Sequence, residues 1–361
     1  MHDTRLRPHT SPRTSPRTSP PNPPRAPRRL QAGAALLMAM VIVTLVATLS
    51  ASMVWQQWRA VQVESAERVR AQATWVLSGA LDWARLILRE DARNGGPDHL
   101  GEPWAIPLAE ARLSTFLAVD ENNNADEGAP DAFLSGKVED ANARYNLRNI
   151  ISPDGDIVPE ELLALKRLCE NAGLAPGLGD GLAQAMKQAT LAVLSIQSDD
   201  PALLSKVGGE AGRQKAPLLP QTFDQLTWLG LDAGTLERLR PYLTLLPSGT
   251  QVNVNTAPKE VIAAVVDNLD LARAARIVQT RQRSAYKTTD DLRATLGAGN
   301  WNFSRLSVSS DFFEIRGRLR LEDNVIEQRH LVQRTSGNEV VVKHQSRFSG
   351  VDRGADPSPN P

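Results

Sequence analysis

Three hydrophobic patterns divide the chain. From residue 32 to residue 54 there is no ionisable side chain, and Leu36, Leu37, Met38, Met40, Val41, Ile42, Val43, Leu45, Val46 and Leu49 dominate. At ~1.5 Å rise per residue such a run spans a hydrocarbon layer of ~30 Å. A buried core helix would keep a polar stripe, so the pattern predicts a membrane helix. The helical pattern then continues. Trp75, Val76, Leu77, Leu81, Trp83, Ala84, Leu86, Ile87 and Leu88 follow Glu64, Glu67, Arg68 and Arg70 with amphipathic spacing, and the first Gly or Pro after residue 34 is Gly79. One helix over 34–91 is expected, roughly 85 Å long if continuous.

The second pattern is alternation of apolar and polar positions. It occurs over 132–140 and again over 305–345, where Leu306, Val308, Phe312, Phe313, Ile315, Leu319, Leu321, Val325, Ile326, Leu331, Val332, Val340, Val341 and Val342 predict an antiparallel sheet. Between these lies the third pattern, a mostly helical stretch. Pro159 opens a helix carrying Leu162, Leu163, Leu165 and Leu168, and Gly173 ends it; further helices begin near Asp232, Pro258, Leu271 and Thr289. The expected fold is α+β. Its order is a membrane and stem helix (34–91), the first part of an α/β domain (92–157), a helical insert (158–299), the second part of the sheet (300–345) and a loose tail (346–361).

Charge orients this plan. Residues 1–33 carry seven arginines against Asp3, a formal +6; the whole chain sums to zero, so residues 34–361 carry −6. The leader, with its Thr-Ser-Pro-Arg repeats, has little apolar surface to bury and is expected to be disordered. Arginines before the apolar run, with Trp55 and Trp58 after it, place the leader in the cytoplasm and the body outside. An acidic body has no general attraction for nucleic acid. Cys169 is the only cysteine, which excludes an internal disulfide. The five histidines show no metal-ligand spacing, and Gly-x-Ser-x-Gly, Gly-x-Gly-x-x-Gly and Walker patterns are absent. Nothing in the sequence points to an enzyme.

The junction Arg28-Arg29-Leu30-Gln31-Ala32-Gly33, followed by Ala34-Ala35-Leu36-Leu37-Met38, resembles the cleavage site of type IV pilins and type II secretion pseudopilins. The resemblance implies cutting by a prepilin peptidase after Gly33, on the cytoplasmic side, and N-methylation of Ala34. Most such proteins carry Glu at the fifth mature position, where it pairs with a neighbour's N-terminal amine in an apolar filament core; an unpaired charge there is costly. Here that position is Met38. The member of the family that characteristically lacks the glutamate is the large minor pseudopilin, general secretion pathway protein K. Three more stretches resemble that family: His99-Leu100-Gly101-Glu102-Pro103-Trp104-Ala105; Phe133-Leu134-Ser135-Gly136-Lys137-Val138-Glu139-Asp140-Ala141-Asn142-Ala143-Arg144-Tyr145-Asn146-Leu147; and Leu246-Pro247-Ser248-Gly249-Thr250-Gln251-Val252-Asn253-Val254-Asn255-Thr256-Ala257. The resemblance covers roughly 34–345. It implies a type IV pilin-like fold with an inserted all-α domain of the helix-hairpin-helix or SAM-like kind. It also implies a structural role in the tip complex that starts the periplasmic pseudopilus. The implied partners are other minor pseudopilins and inner-membrane components of the secretion system.

Other readings carry different expectations. A secretory signal peptide has the same charge-then-apolar order and would be cut near residue 52, after Ala47, Ser50 and Ala51. Residues 252–297 resemble a helix-hairpin-helix module, the basis of an alternative reading as a membrane-tethered DNA-binding protein of a competence or type IV pilus system. Its hairpin, Asp267-Asn268-Leu269-Asp270, has two carboxylates and no glycine, which opposes phosphate binding. Asn255 and Thr256 read as the cap of the helix containing Glu260 and Val261. The acidic loop Asp120, Asn122, Asn124, Asp126 and Asp131 has a calcium-ligand rhythm, but Ala125 stands at the turn position and Asp131 replaces the final Glu. A solvated loop is the plainer reading. The family's calcium in the helical insert has no obvious copy here: the region 180–215 offers Asp180, Asp199, Asp200 and Glu210.

Overall fold

The computed structural model describes residues 32–113, 132–198, 200–321 and 324–351. They fall into two compact units divided between Arg68 and Val69. Helix α1 (Ala32–Asn94) runs through the division.

In the first unit every large apolar side chain from Leu36 to Val54 is more than half exposed, so the helix is apolar all round. Three of its four hydroxyls bond to the helix's own backbone: Thr44 donates to the Val41 carbonyl (2.9 Å), Thr48 to Leu45 (2.9 Å) and Ser52 to Leu49 (2.8 Å). Such back-bonding lowers the cost of placing a hydroxyl in lipid. Among the described residues it is the one helix long and apolar enough to cross a membrane.

In the second unit, α1 buries a stripe of Ala73, Leu77, Ala84 and Leu88 at helical spacing. The stripe packs on an antiparallel sheet of five strands: β1 (Leu108–Arg112), β2 (Ala132–Asp140), then β7 (Phe312–Leu321), β8 (Asn324–Arg334) and β9 (Val340–Val351), in that spatial order. Period-two burial selects the inner face. Leu134 and Val138 of β2, Phe313, Ile315 and Leu319 of β7, and Ile326 and Val332 of β8 face the helix. Trp104 meets Phe313 edge-on at 5.1 Å. The Arg85 guanidinium donates to the Val340 carbonyl (2.7 and 3.0 Å), fastening the stem to β9.

The last strand differs from expectation. It reaches Val351, pairing Val351 with Asn324, six residues past the expected end of the sheet at 345. Ladder bonds use backbone groups, so the polar stretch Gln345–Gly350 pairs as well as an apolar one would.

Residues between Tyr145 and Ser307 form the helical block. Strand β3 (Tyr145–Asn146) pairs in parallel with β4 (Leu243–Thr244), and β5 (Val252–Asn253) with β6 (Leu306–Ser307), so two short ladders close its ends. Helix α2 (Pro159–Asn171) begins with Pro159 and has Glu160 and Glu161 in its first turn, where the helix dipole favours carboxylates. Gly173, at φ 65°, ends it in a conformation that a side chain would strain. Helices α3 (Leu178–Gln197), α4 (Pro201–Lys206), α5 (Gly209–Lys215), α6 (Ala233–Leu239), α7 (Lys259–Val265), α8 (Leu271–Arg283) and α9 (Leu292–Leu296) follow. Leu165, Leu168, Met186, Leu226, Val261, Ile262 and Ile277 belong to one large core. Cys169 lies in it, and burial pushes its thiol up to about 11, which makes it a packing group and not a nucleophile.

Candidate functional site

The stretches 99–105, 140–147 and 246–257 meet at one buried polar junction. Asp140 ends β2 on the inward phase of that strand. Its Oδ1 accepts from the Asn142 amide (2.7 Å), and its Oδ2 from Ser310 Oγ (2.6 Å), Thr256 Oγ1 (2.5 Å) and Asn253 Nδ2 (3.1 Å). Asn253 Nδ2 also reaches the Asp98 carbonyl (3.1 Å) and Ser310 Oγ (2.8 Å), while its Oδ1 accepts from the Asn255 amide (2.9 Å). Asn255 continues the chain of bonds: its side chain exchanges two hydrogen bonds of 2.9 Å with the backbone of Tyr286, past the end of α8.

The expected helix cap is therefore corrected. Helix α7 has Pro258 at its N-cap position and no side-chain cap; the Thr256 hydroxyl donates to Asp140, and Asn255 holds Tyr286. A carboxylate brought in from the sheet is the stronger acceptor and receives the hydroxyl's hydrogen bond. Arg281, on α8, donates to the carbonyls of Val254 (2.5 Å) and Ala257 (2.6 Å), so the loop between β5 and α7 is tied from both sides. Burial lowers the Arg281 pKa to about 10.

A second carboxylate joins the junction to the end of the stem. Arg334 of β8 forks onto both oxygens of Asp98 (2.5 and 2.7 Å), the Ser310 carbonyl (2.8 Å) and Asp91 Oδ2 (3.0 Å), and its guanidinium lies over the Phe313 ring at 5.1 Å. Asp98 Oδ2 accepts from the Ser310 amide (2.6 Å). Glu102 Oε2 accepts from the His99 amide (2.8 Å) and Trp104 Nε1 (2.7 Å), which accounts for the Gly-Glu-x-Trp-Ala stretch: the glutamate folds the turn that drives Trp104 into the core.

Asp91, Asp98 and Glu102 are the one group of three metal-type ligands close together among the described residues. Their oxygens are already met by Arg334, by two backbone amides and by Trp104, so they do not fit a calcium cage. In the helical block Asp180 pairs with Lys166 (2.9 Å), Asp200 caps α4 through the Ala202 amide (2.8 Å) and Glu210 pairs with Arg213 (2.7 Å). These carboxylates do not converge. Asp199 and the expected ligands Asp120, Asn122, Asn124, Asp126 and Asp131 lie outside the described residues.

The hairpin between α7 and α8 is closed to phosphate. Asp270 accepts from the Arg273 amide (2.7 Å) and occupies the helix N-terminus, and Asp267 pairs with Arg167 (2.8 Å). Nor does the junction activate a nucleophile. The Ser310 and Thr256 hydroxyls both donate to Asp140, and among the described residues neither is hydrogen-bonded to a histidine or lysine. What the arrangement does is lock the stem, the sheet and the helical block to each other.

Burial raises Asp140 to about 6, against the bonds from Ser310, Thr256 and Asn142, which favour the charged form. Burial also raises Asp98, with Arg334 opposing. The folded chain therefore holds a proton on Asp140 between about pH 3.8 and 6, where the unfolded chain has released it. This contribution is greatest at low pH and is lost as pH rises through that window. Other groups act in the opposite sense, Glu314 and His330 among them. Glu314, although burial alone would raise it, is pulled down to about 2 by Arg144 and Arg316, so its stabilisation is lost in acid. Burial lowers His330, with Arg347 and Arg85 adding to the shift, so its contribution also falls as pH drops. Comparison with Asp140→Asn removes these common terms. The parent's urea stability relative to the variant should grow by on the order of 2 kcal/mol from pH 7.5 to pH 4. A pH-independent difference would contradict a protonated Asp140.

Met38 lies on the exposed apolar surface of α1, and Gly33 and Ala34 in its first turn. Sequence reasoning did not identify Asp98, Ser310 and Arg334 as site residues. The inward phase of Asp140 on β2 was the available signal.

Comparison with known proteins gives this arrangement a context. Two family models match, both described as type II secretion system (T2SS), protein K: one over residues 143–248, the other over 252–309. The chain is 27% identical over 284 residues to the type II secretion system protein K of Pseudomonas aeruginosa, covering 76% of this chain and 80% of that one. It is 24% identical over 295 residues to the protein K of Pectobacterium carotovorum subsp. carotovorum (76% and 84%). It is 30% identical over 134 residues to that of Dickeya chrysanthemi (34% and 38%). Among solved structures, a chain of the GspK-GspI-GspJ complex from the enterotoxigenic Escherichia coli type 2 secretion system aligns with a TM-score of 0.53 at 16% identity, covering 78% of this chain and 98% of that one, a likeness of fold. The matched regions contain the β5–α7 loop with its Asn253, Asn255 and Thr256, and the chain belongs to the protein K family, the minor pseudopilins of type II secretion systems.

Proposed function

We propose that this minor pseudopilin sits at the tip of the pseudopilus and helps to start its assembly. In this reading residues 1–33 are a cytoplasmic leader, a prepilin peptidase cuts between Gly33 and Ala34, and Ala34 is N-methylated. The first half of α1 holds the chain in the inner membrane, with the body in the periplasm. The chain acts as an assembly protein and not as an enzyme, and nucleic acid is not a partner. Its partners are other minor pseudopilins and inner-membrane components of the secretion system; the solved neighbour is itself a complex with GspI and GspJ.

One observation carries the tip position. From 34 to 54 the helix has no ionisable side chain, Met38 included. It offers no carboxylate to the N-terminal amine of an adjacent subunit, so it cannot repeat along a filament held together by that pairing. Met38→Glu tests this in cells. The variant should accumulate and be processed, yet secrete at least about tenfold less, because an unpaired carboxylate within a membrane helix costs ~2.5–3.5 kcal/mol. Met38→Leu should secrete normally. Full secretion by Met38→Glu would remove the charge argument for the tip.

A further inference from the structure

The core beneath the stem helix is in two parts. One holds Ala73, Leu77, Leu134, Leu319 and Ile326; the other Ala84, Leu88, Trp104, Phe313, Ile315 and Val332. The row between them reads Gly136, Gly317 and Gln328 across β2, β7 and β8. The two glycines put bare backbone where two side chains would stand. Leu77 closes over Gly317, where an added Cβ would lie 3.0 Å from Leu77 Cδ2. Beside that row, between α1, the turn at Pro103–Ala105 and the sheet, is a cavity of about 260 Å³. Its walls are mostly apolar, including Leu81, Ala84, Trp104 and Val138; Trp83 and Ile106 line it while remaining largely exposed, and Ser135, Lys137 and Arg316 also border it.

Of the polar residues in that lining, two are buried. Gln328 is 1% exposed and His330 4%, and both line the cavity from the inner face of β8. His330 Nε2 and Gln328 Oε1 are 3.1 Å apart, which leaves Gln328 Nε2 and His330 Nδ1 without a partner. Burying unsatisfied polar atoms is unfavourable, and an apolar core needs neither residue. The free pair has the same character whichever way the amide is turned. If the imidazole donates to Gln328, the amide N–H is the free donor and Nδ1 the free acceptor. If the amide is reversed and donates to the imidazole, its oxygen is the free acceptor and Nδ1–H the free donor. Burial, with Arg347 and Arg85 nearby, favours the neutral imidazole that both cases require.

We infer that this cavity is a binding site for a small amphipathic molecule with a compact apolar body and one hydroxyl or amide group that both donates to and accepts from the Gln328–His330 pair. The volume sets the size. A dry apolar cavity of about 150 Å³ accommodates benzene, so 260 Å³ suits a ring with a short chain, or an aliphatic body of similar bulk. The depth of the polar pair favours a free molecule over the flat face of another protein. The inference does not depend on the tip assignment.

The test uses the full chain in detergent, with 2-phenylethanol and its apolar isostere propylbenzene as probes. Ligand-dependent thermal shifts should give 2-phenylethanol at least about a tenfold affinity advantage over its value for the double variant Gln328→Leu/His330→Phe, because one buried polar recognition is lost. Propylbenzene should bind both proteins alike. The double variant should also be at least as stable as the parent without probe, since it removes two unsatisfied groups. Ala84→Phe, which fills the groove, should abolish the response to both probes. Equal 2-phenylethanol shifts in parent and double variant would overturn the site and attribute the effect to the detergent phase. So would a double variant that is markedly less stable, because the pair would then be a structural element. A response present in the free chain but absent from its purified complex with other pseudopilins would assign the groove to a partner's side chain and overturn the free-ligand inference.

Discussion

Arg334→Met should destabilise the body by about 3–5 kcal/mol, the usual loss when one member of a buried ion pair is removed and its partner stays. Arg334 is the counter-ion of two carboxylates, Asp98 (side chain 2% exposed) and Asp91 (15%). It also accounts for the donor facing the Ser310 carbonyl. Methionine keeps much of the apolar stem over Phe313, so packing changes little. The loss should shrink as pH falls, because a protonated Asp98 needs no counter-ion. Burial already raises Asp98 while Arg334 holds it down, so removing Arg334 raises it further. Arg334→Lys should recover part of the stability, since a single ammonium cannot span both carboxylates with the geometry of the fork. Urea unfolding at pH 7.5 and 5 measures both effects. A deficit of the same size at both pH values would mean that packing, and not charge, is what Arg334 supplies.

The second large effect is at Asp140. Asp140→Ala should cost about 3 kcal/mol at pH 5, because it strips an acceptor from the Asn142 amide, the Ser310 and Thr256 hydroxyls and the Asn253 amide at once. Four orphaned donors would cost little more than this, since hydroxyls can turn; Thr256 Oγ1 already has the Asn253 carbonyl at 3.4 Å. The consequence should be local as well as global. With β5 no longer held to the end of β2, amide exchange should quicken over 252–257 and at Tyr286, which Asn255 holds, before the far end of α3 responds. Uniform exchange across the helical block would show that the junction is not what joins it to the sheet.

Much of this architecture is legible in the sequence. The uncharged run, the amphipathic stripe behind it and the alternation in 132–140 and 312–334 each follow from the period of one element, and Pro159 and Gly173 mark a helix by local backbone rules. Other parts are not local. Strand β1 reads Leu-Ala-Glu-Ala-Arg, good helix formers made extended by pairing with β2. The end of β9 carries Gly and Ser and reads as tail in the sequence, because its order comes from β8. The junction was the least legible. Thr256 looks like a cap in its own window, and its actual partner, Asp140, lies 116 residues earlier; Arg334 and Asp98 are 236 residues apart. Short-range motifs show that such residues are polar and near a helix. They do not show which distant carboxylate will accept the hydrogen bond.

Maturation as a pseudopilin can be read from the N-terminus of the protein recovered from its native membrane, by intact mass and peptide sequencing. The mature chain should begin at N-methylated Ala34. A chain starting near residue 52, or one retaining its leader uncut, would contradict it.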